Sequence, residues 1–146
     1  MRVLVVAIVG LGLASVLASW PAPVRSADPV AASYPAPVFR AGNQGWGLIV
    51  DTNVKPARYH LVVPQLVGVA YGNLTQDPQV PSTPGRYALV GRVNVGGQPR
   101  ELVVRISKAA NGQPCLNSAG KAHAYAVIVG AARTANWYGC GDFAAP

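Results

Sequence analysis

Apolar and polar positions alternate with a period of two through most of the chain after residue 39. In the segment 46–51, Trp46, Leu48 and Val50 take every second position, as they do in a strand with one buried face. The same alternation recurs in six further segments: 59–63, 67–71, 87–95, 100–107, 122–129 and 134–140. The pattern predicts about seven strands and no helix in this part of the chain.

Glycine-rich turns join the predicted strands. Gly96 and Gly97 separate the two longest segments, and these are expected to pair antiparallel because glycine readily adopts the positive φ of a tight hairpin. Residues 130–133 give a similar turn between the last two segments. Two stretches lack the alternation and are predicted to be long loops: 72–85 and 109–120. Such an arrangement predicts an all-β fold, a small antiparallel barrel or sandwich.

The N-terminal residues have the layout of a secretory signal peptide. Arg2 precedes an apolar run at residues 3–16, and small residues follow from Ala18. Cleavage fits after Ala18, Ser26 or Ala27, and we expect the mature chain to start near residue 27. Retention as a single membrane anchor is the alternative. The sequence therefore predicts a periplasmic or secreted protein that meets the membrane only transiently, through this segment.

The whole chain divides into three predicted parts: a signal peptide at 1–26, an extended tether at 27–38 and a single β domain at 39–146. The tether is rich in Ala and Pro and shows neither the strand nor the helix period. An edge strand at 34–39 is the alternative, limited by Pro35 and Pro37, which cannot donate ladder hydrogen bonds.

Cys115 and Cys140 are the two cysteines of the chain. An even number of cysteines in an exported protein predicts a disulfide, which would stabilise the fold by about 3 kcal/mol through the loop it closes. A zinc site is the alternative, but His60 and His123 are the available histidines and neither is closely spaced with a cysteine. We therefore expect a disulfide and neither a metal nor a cofactor.

The net charge is +7, or +5 once Arg2 and Arg25 are removed with the signal peptide. A basic exported domain can meet anionic envelope polymers or an acidic protein cleft. The basic residues stand singly, which also fits an ordinary solvated surface. Nucleic acid is not an expected partner, because no basic strand carries the aromatic residues that stack on bases.

Catalytic groups are sparse. No two of the five acidic residues have the spacing of a paired-carboxylate site, and no Gly-x-Ser-x-Gly motif is present. His60 and His123 fall in strand-like segments, where an outward-facing position is expected. The sequence thus predicts a protein that is not an enzyme, with a hydrolase as the disfavoured alternative.

Two motifs resemble those of a known family. The residues FRAGNQGWGLIVD, from Phe39 to Asp51, are similar to the opening of an uncharacterised bacterial envelope domain family with a Gly-Asn-Glu-Pro-Phe-Trp-like motif. Gln44 and Gly45 stand where that family has an acid and a proline. The segment from Pro114, with Cys115 and the later WYGCG at residues 137–141, resembles the closing hairpin of the family with its paired cysteines.

The resemblance implies an exported small β-barrel domain, and the family has no activity that could be transferred to this chain. Family members can occur beside domains similar to membrane-bound lysozyme inhibitors or to META-type domains, which implies a non-catalytic binding module such as an inhibitor of a peptidoglycan hydrolase. A structural or small-ligand-binding envelope domain is the alternative. The STPGRY stretch at 82–87 is similar to a motif of those inhibitors. The candidate binding residues are Ser82, Arg86, Tyr87, Asn43 and Trp46. The expected partner is an exported cell-wall hydrolase or another envelope component.

Overall fold

A computed structural model describes residues 33–65, 67–131 and 135–146. The predicted signal peptide and the first part of the predicted tether lie outside these residues. The described chain forms ten strands and one short 3-10 turn: β1 Val38–Asn43, β2 Trp46–Asp51, β3 Ala57–Val63, β4 Gly68–Gln76, β5 Arg86–Val95, β6 Gln98–Lys108, the 3-10 turn Ala110–Gly112, β7 Cys115–Leu116, β8 Ala122–His123, β9 Tyr125–Ala131 and β10 Ala135–Ala144.

Eight of these strands form a closed antiparallel barrel in the order β1-β10-β9-β6-β5-β4-β3-β2. Each pairs with the next barrel strand along the chain, and β10 returns to pair with β1, which is an up-and-down meander. The short strands β7 and β8 pair with each other in the connection between β6 and β9. The prediction of a small all-β antiparallel barrel is confirmed, with eight barrel strands where about seven were expected.

Inward-facing side chains pack into one core inside the barrel. Leu48 and Val50 of β2 and Leu61 of β3 are at most 1 % exposed, and they alternate with more exposed neighbours along each strand. Leu48 lies opposite Leu61 in the antiparallel pair. An eight-stranded barrel encloses a space that side chains can fill, so the period-two pattern of the sequence becomes the core.

The predicted disulfide is confirmed. Cys115 of β7 and Cys140 of β10 are bonded, with their Cα atoms 5.6 Å apart, which lies in the usual range for a disulfide. The bond ties the β7–β8 hairpin to the outside of the barrel. A disulfide fits an extracellular or periplasmic protein, because such bonds persist in oxidising compartments.

Several elements differ from the sequence prediction. The predicted loop 109–120 contains the 3-10 turn and β7, and the predicted strand 122–129 is divided into β8 and β9. β1 was not predicted as a strand, because Arg40, Gly42 and Asn43 interrupt its short apolar pattern. The loop predicted at 72–85 is wrong in its first part, since β4 continues to Gln76 and pairs with both neighbouring strands. The composition of that stretch is typical of a turn, but the pairing partners on each side override the local preference.

The two ends of the barrel differ in their connections. At one end, called here the turn end, tight turns at residues 44–45 and 96–97 join the strands, and Gly96 and Gly97 have the predicted positive φ of 58° and 77°. The opposite end, called the loop end, carries the longer connections: 52–56, 77–85 and 109–124. The segment that precedes β1 also lies there. Because contacts with other molecules concentrate in loops on rigid scaffolds, a binding site is expected at the loop end.

Candidate functional site

A cavity of about 920 Å³ opens to solvent in the mouth of the barrel at the loop end. It lies between the segment before β1, the β2–β3 connection and the end of β4. Its apolar wall consists of nine residues: Tyr34, Pro35, Ala36, Pro37, Val54, Pro56, Ala57, Leu74 and Leu89. Small-molecule sites commonly measure about 300–1,000 Å³ and occur in the mouths of β-barrels. The cavity has the size and the lining of such a site.

The segment before β1 forms one fixed wall of this cavity. The ring of Tyr34 packs on the rings of Tyr87 and Phe143, with centroids 4.9 and 5.9 Å away. Thr52 donates two hydrogen bonds to the carbonyl oxygen of Pro37, from its backbone N–H at 2.7 Å and from its hydroxyl at 2.8 Å. These contacts hold the segment against the β2–β3 connection, so the wall is already in place without a ligand.

The charge at the cavity comes from Lys55. It is exposed in the β2–β3 connection, and no Asp or Glu is among the described residues that line the cavity. Neither of the side-chain ion pairs found in the described residues includes Lys55. Burial, and to a smaller extent the neighbouring Tyr87, raises the pKa of Tyr34, so this lining phenol is neutral at neutral pH. The cavity is therefore apolar with a positive rim.

The connection between β4 and β5 begins with an ion pair between a buried carboxylate and a partly exposed arginine. Asp77 accepts a hydrogen bond of 2.8 Å from the backbone N–H of Gln79, and its other carboxylate oxygen lies 2.7 Å from the guanidinium group of Arg105. The Gln79 N–H first, and then Arg105, hold the pKa of Asp77 below its ordinary value of 3.8. The start of this loop is thereby fixed to β6.

The same connection ends in a tight turn. Thr83 and Arg86 exchange two backbone hydrogen bonds of 2.8 Å each, which places Pro84 and Gly85 at the tip. The hydroxyl oxygen of Ser82 accepts a hydrogen bond of 3.0 Å from the backbone N–H of Ala88. The Arg86 side chain is exposed. The turn therefore presents an arginine on a backbone that its own hydrogen bonds hold in shape.

Sequence reasoning suggested five binding residues: Ser82, Arg86, Tyr87, Asn43 and Trp46. The structure places the first three at the loop end and the last two at the turn end, so they do not form one surface. Tyr87 is 3 % exposed and belongs to the core. Trp46 is also buried, and its indole N–H donates a hydrogen bond of 3.3 Å to the carbonyl oxygen of Tyr138. Asn43 Oδ1 accepts a hydrogen bond of 2.8 Å from the next backbone N–H, within the β1–β2 turn.

Sequence reasoning did not identify the residues that line the cavity. Residues 33–37 fall in the predicted tether, and residues 52–56 fall between two predicted strands, where their side chains carry no recognisable motif. One signal was present: Tyr34 is the aromatic residue in an otherwise Ala- and Pro-rich stretch. An aromatic ring in such a stretch can mark a segment that packs against a domain.

His123 belongs to the β7–β8 hairpin, where its ring is held on both sides. Its Nδ1 lies 2.9 Å from a carboxylate oxygen of Asp142, and its Nε2 lies 3.2 Å from the side-chain nitrogen of Asn117. The other oxygen of Asp142 accepts a hydrogen bond of 2.7 Å from the backbone N–H of Ala124. Partial burial acts to raise the pKa of Asp142, but the Ala124 N–H and His123 outweigh it and lower the pKa. This cluster fastens the hairpin to β10.

His60 lies on the outer face of the barrel, stacked on Tyr71 of the neighbouring strand with ring centroids 4.4 Å apart. The two histidines are therefore on different strands with different partners. No group of three or more His, Cys, Asp or Glu side chains in the described residues is placed to hold a metal ion.

Comparisons of the chain with protein-family models, with curated proteins and with solved structures found no match. Within residues 33–65, 67–131 and 135–146, no helix has the length and hydropathy of a membrane span.

Proposed function

We propose that this protein is an exported, non-catalytic binding module and that its loop-end cavity holds a small, largely apolar molecule. One observation carries the proposal: an apolar cavity of about 920 Å³ opens at the end of the barrel where the long connections gather. Burial of apolar surface is favourable in proportion to its area, and a preformed wall lowers the ordering cost of binding.

The positions of the acidic and imidazole groups support binding over catalysis. Asp77 is engaged by Arg105, and Asp142 is engaged by His123. No carboxylate or imidazole is among the described residues that line the cavity. A general acid or base must come within about 3.2 Å of the group on which it acts, directly or through one water. Lys55 and Tyr34 are the titratable side chains among the described lining residues, and neither has a carboxylate or imidazole beside it in the lining.

Export is supported by two separate features. The disulfide between Cys115 and Cys140 fits an oxidising compartment. The layout of residues 1–26 is that of a secretory signal peptide. A protein of this kind would meet its ligand in the periplasm or outside the cell.

Titration with N-phenyl-1-naphthylamine, a neutral apolar dye that fluoresces in apolar surroundings, tests the cavity. The protein is expected to bind the dye, and Ala36→Trp is expected to weaken binding by placing an indole ring in the cavity lining. The matched control is Ala126→Trp, which adds the same ring at an exposed position of β9. No binding by the unchanged protein, or equal loss in both variants, would refute the proposal.

A second candidate function is inhibition of a peptidoglycan hydrolase such as a lysozyme. The observation that favours it is the hydrogen-bonded turn of Thr83 and Arg86, which presents an exposed guanidinium group. A muramidase cleft contains two acidic residues, and an arginine on a preformed turn can pair with a carboxylate at low ordering cost.

Clearing of cell-wall suspensions by several lysozymes, in the presence of the purified protein, tests this second function. Inhibition is expected to fall about tenfold or more in Arg86→Ala, since a charged hydrogen bond contributes about 1.5–3 kcal/mol. Arg92→Ala is the matched control, because Arg92 is an exposed arginine of the same strand nearer the turn end. The absence of inhibition at micromolar excess would exclude this function for the lysozymes used.

A further inference from the structure

The loop-end cavity combines an apolar wall with one charged side chain. Lys55 is the charged residue among the described residues that line it, and it is exposed at the rim. The ion pairs of the described residues do not include Lys55. Among the residues that the structure describes, the ammonium group has no ion-pair partner, and it lies beside an apolar cavity.

The lining also contains five uncharged polar residues: Ser33, Thr52, Asn53, Thr75 and Gln76. The hydroxyl of Thr52 already donates its hydrogen bond to Pro37, so it is not a free donor for a ligand. Lys55 thus provides the charged contact at the opening. A compact ammonium group attracts anions, whereas a cationic ligand would be placed beside a like charge.

An apolar wall and an ammonium group at its rim together select a molecule with two parts. The apolar part is removed from water inside the cavity, and the anionic part stays at the opening, where the ammonium and water can both reach it. A neutral apolar molecule satisfies the wall but gains nothing from Lys55.

We infer that the ligand of the loop-end cavity is an amphiphile with an apolar tail and a single anionic head group, and that the head group contacts the ammonium group of Lys55. This inference rests on the proposed function, because it requires that the cavity hold a ligand. It adds the chemical class of the ligand and the residue that selects it.

Calorimetric titration with decanoate, decan-1-ol and decyltrimethylammonium, each below the concentration at which it aggregates, separates the contributions of tail and head. Decanoate is expected to bind about fivefold more tightly than decan-1-ol, and decyltrimethylammonium least tightly, because a partly exposed ion pair contributes about 1 kcal/mol. Lys55→Gln should remove the preference for decanoate. Lys121→Gln, which makes the same change at an exposed lysine of the β7–β8 hairpin outside the cavity lining, should keep it.

The outcomes distinguish this inference from the function on which it rests. Equal affinity of the unchanged protein for decanoate and decan-1-ol, or a preference that survives Lys55→Gln, would overturn the inference and leave the ligand-binding cavity in place. Failure of all three compounds and of the neutral dye to bind would overturn the proposed function itself.

Discussion

Inside the barrel, the ring of Tyr59 takes the space in which a side chain at position 72 would lie. A Cβ atom added to Gly72 would come within 2.6 Å of that ring, whose hydroxyl donates a hydrogen bond of 2.5 Å to the carbonyl oxygen of Arg92. Gly72→Ala is therefore expected to lower the free energy of unfolding by about 1–3 kcal/mol in urea denaturation. Gly47→Ala is the matched control, since its added Cβ meets nothing within 4 Å. Equal losses in both variants would contradict this explanation.

The carboxyl group of Asp77 makes the stability depend on pH. The Gln79 N–H and Arg105 lower its pKa from 3.8, so its contribution is complete above that value and is lost as the pH falls through the lower pKa of the folded state. Asp77→Asn is expected to reduce the free energy of unfolding at neutral pH by about 1 kcal/mol and to make the acid-induced loss shallower. Urea denaturation at a series of pH values measures both. An acid-induced loss of unchanged steepness would contradict the assigned role of Asp77.

At the scale of elements, the β7–β8 hairpin is attached to β10 by the disulfide and by the contacts of His123 and Ala124 with Asp142. Replacement of both cysteines by serine is expected to lower the free energy of unfolding by about 3 kcal/mol. Amide hydrogen exchange should accelerate in residues 115–123. Exchange in β9 should accelerate only as far as the lower global stability requires, because β9 pairs along its length with β6 and β10. Equal acceleration in β9 would show that the disulfide maintains the barrel as well as the hairpin.

Most of the strands could be predicted from period-two patterning, because one face of each is buried in the core. The segment 67–71 is an exception, since its alternating residues Val69 and Tyr71 face outward and are 58 % and 71 % exposed. The strands that this pattern did not predict, or predicted too short, adopt their conformation because they pair with neighbouring strands. Residues 72–76 have the composition of a turn, yet Leu74 pairs with Ala57 on one side and Gly91 on the other. Glycine at position 72 is a packing requirement of Tyr59, which a single sequence cannot distinguish from a turn signal.

At the scale of the whole molecule, the candidate site was less predictable than the fold. The barrel mouth is formed by residues 33–37 and 52–57, which meet because β1 and β2 are a hairpin with both outer ends at the loop end. No sequence motif indicates that these two segments lie close together, because the cavity lining is defined by its shape and its apolar surface. Asn43 and Trp46 were predicted as binding residues because they belong to the family-like motif at Phe39 to Asp51. Their hydrogen bonds instead stabilise the turn end.

The proposed function requires that the protein bind its ligand at the loop end. Amide chemical shifts recorded during titration with N-phenyl-1-naphthylamine test this most directly. The proposed function predicts that changes concentrate at residues 33–37, 52–57 and 74–76, with Gly96 and Gly97 at the turn end unaffected. Changes centred on the turn end or spread over the outer face of the barrel, or no change at all, would contradict it.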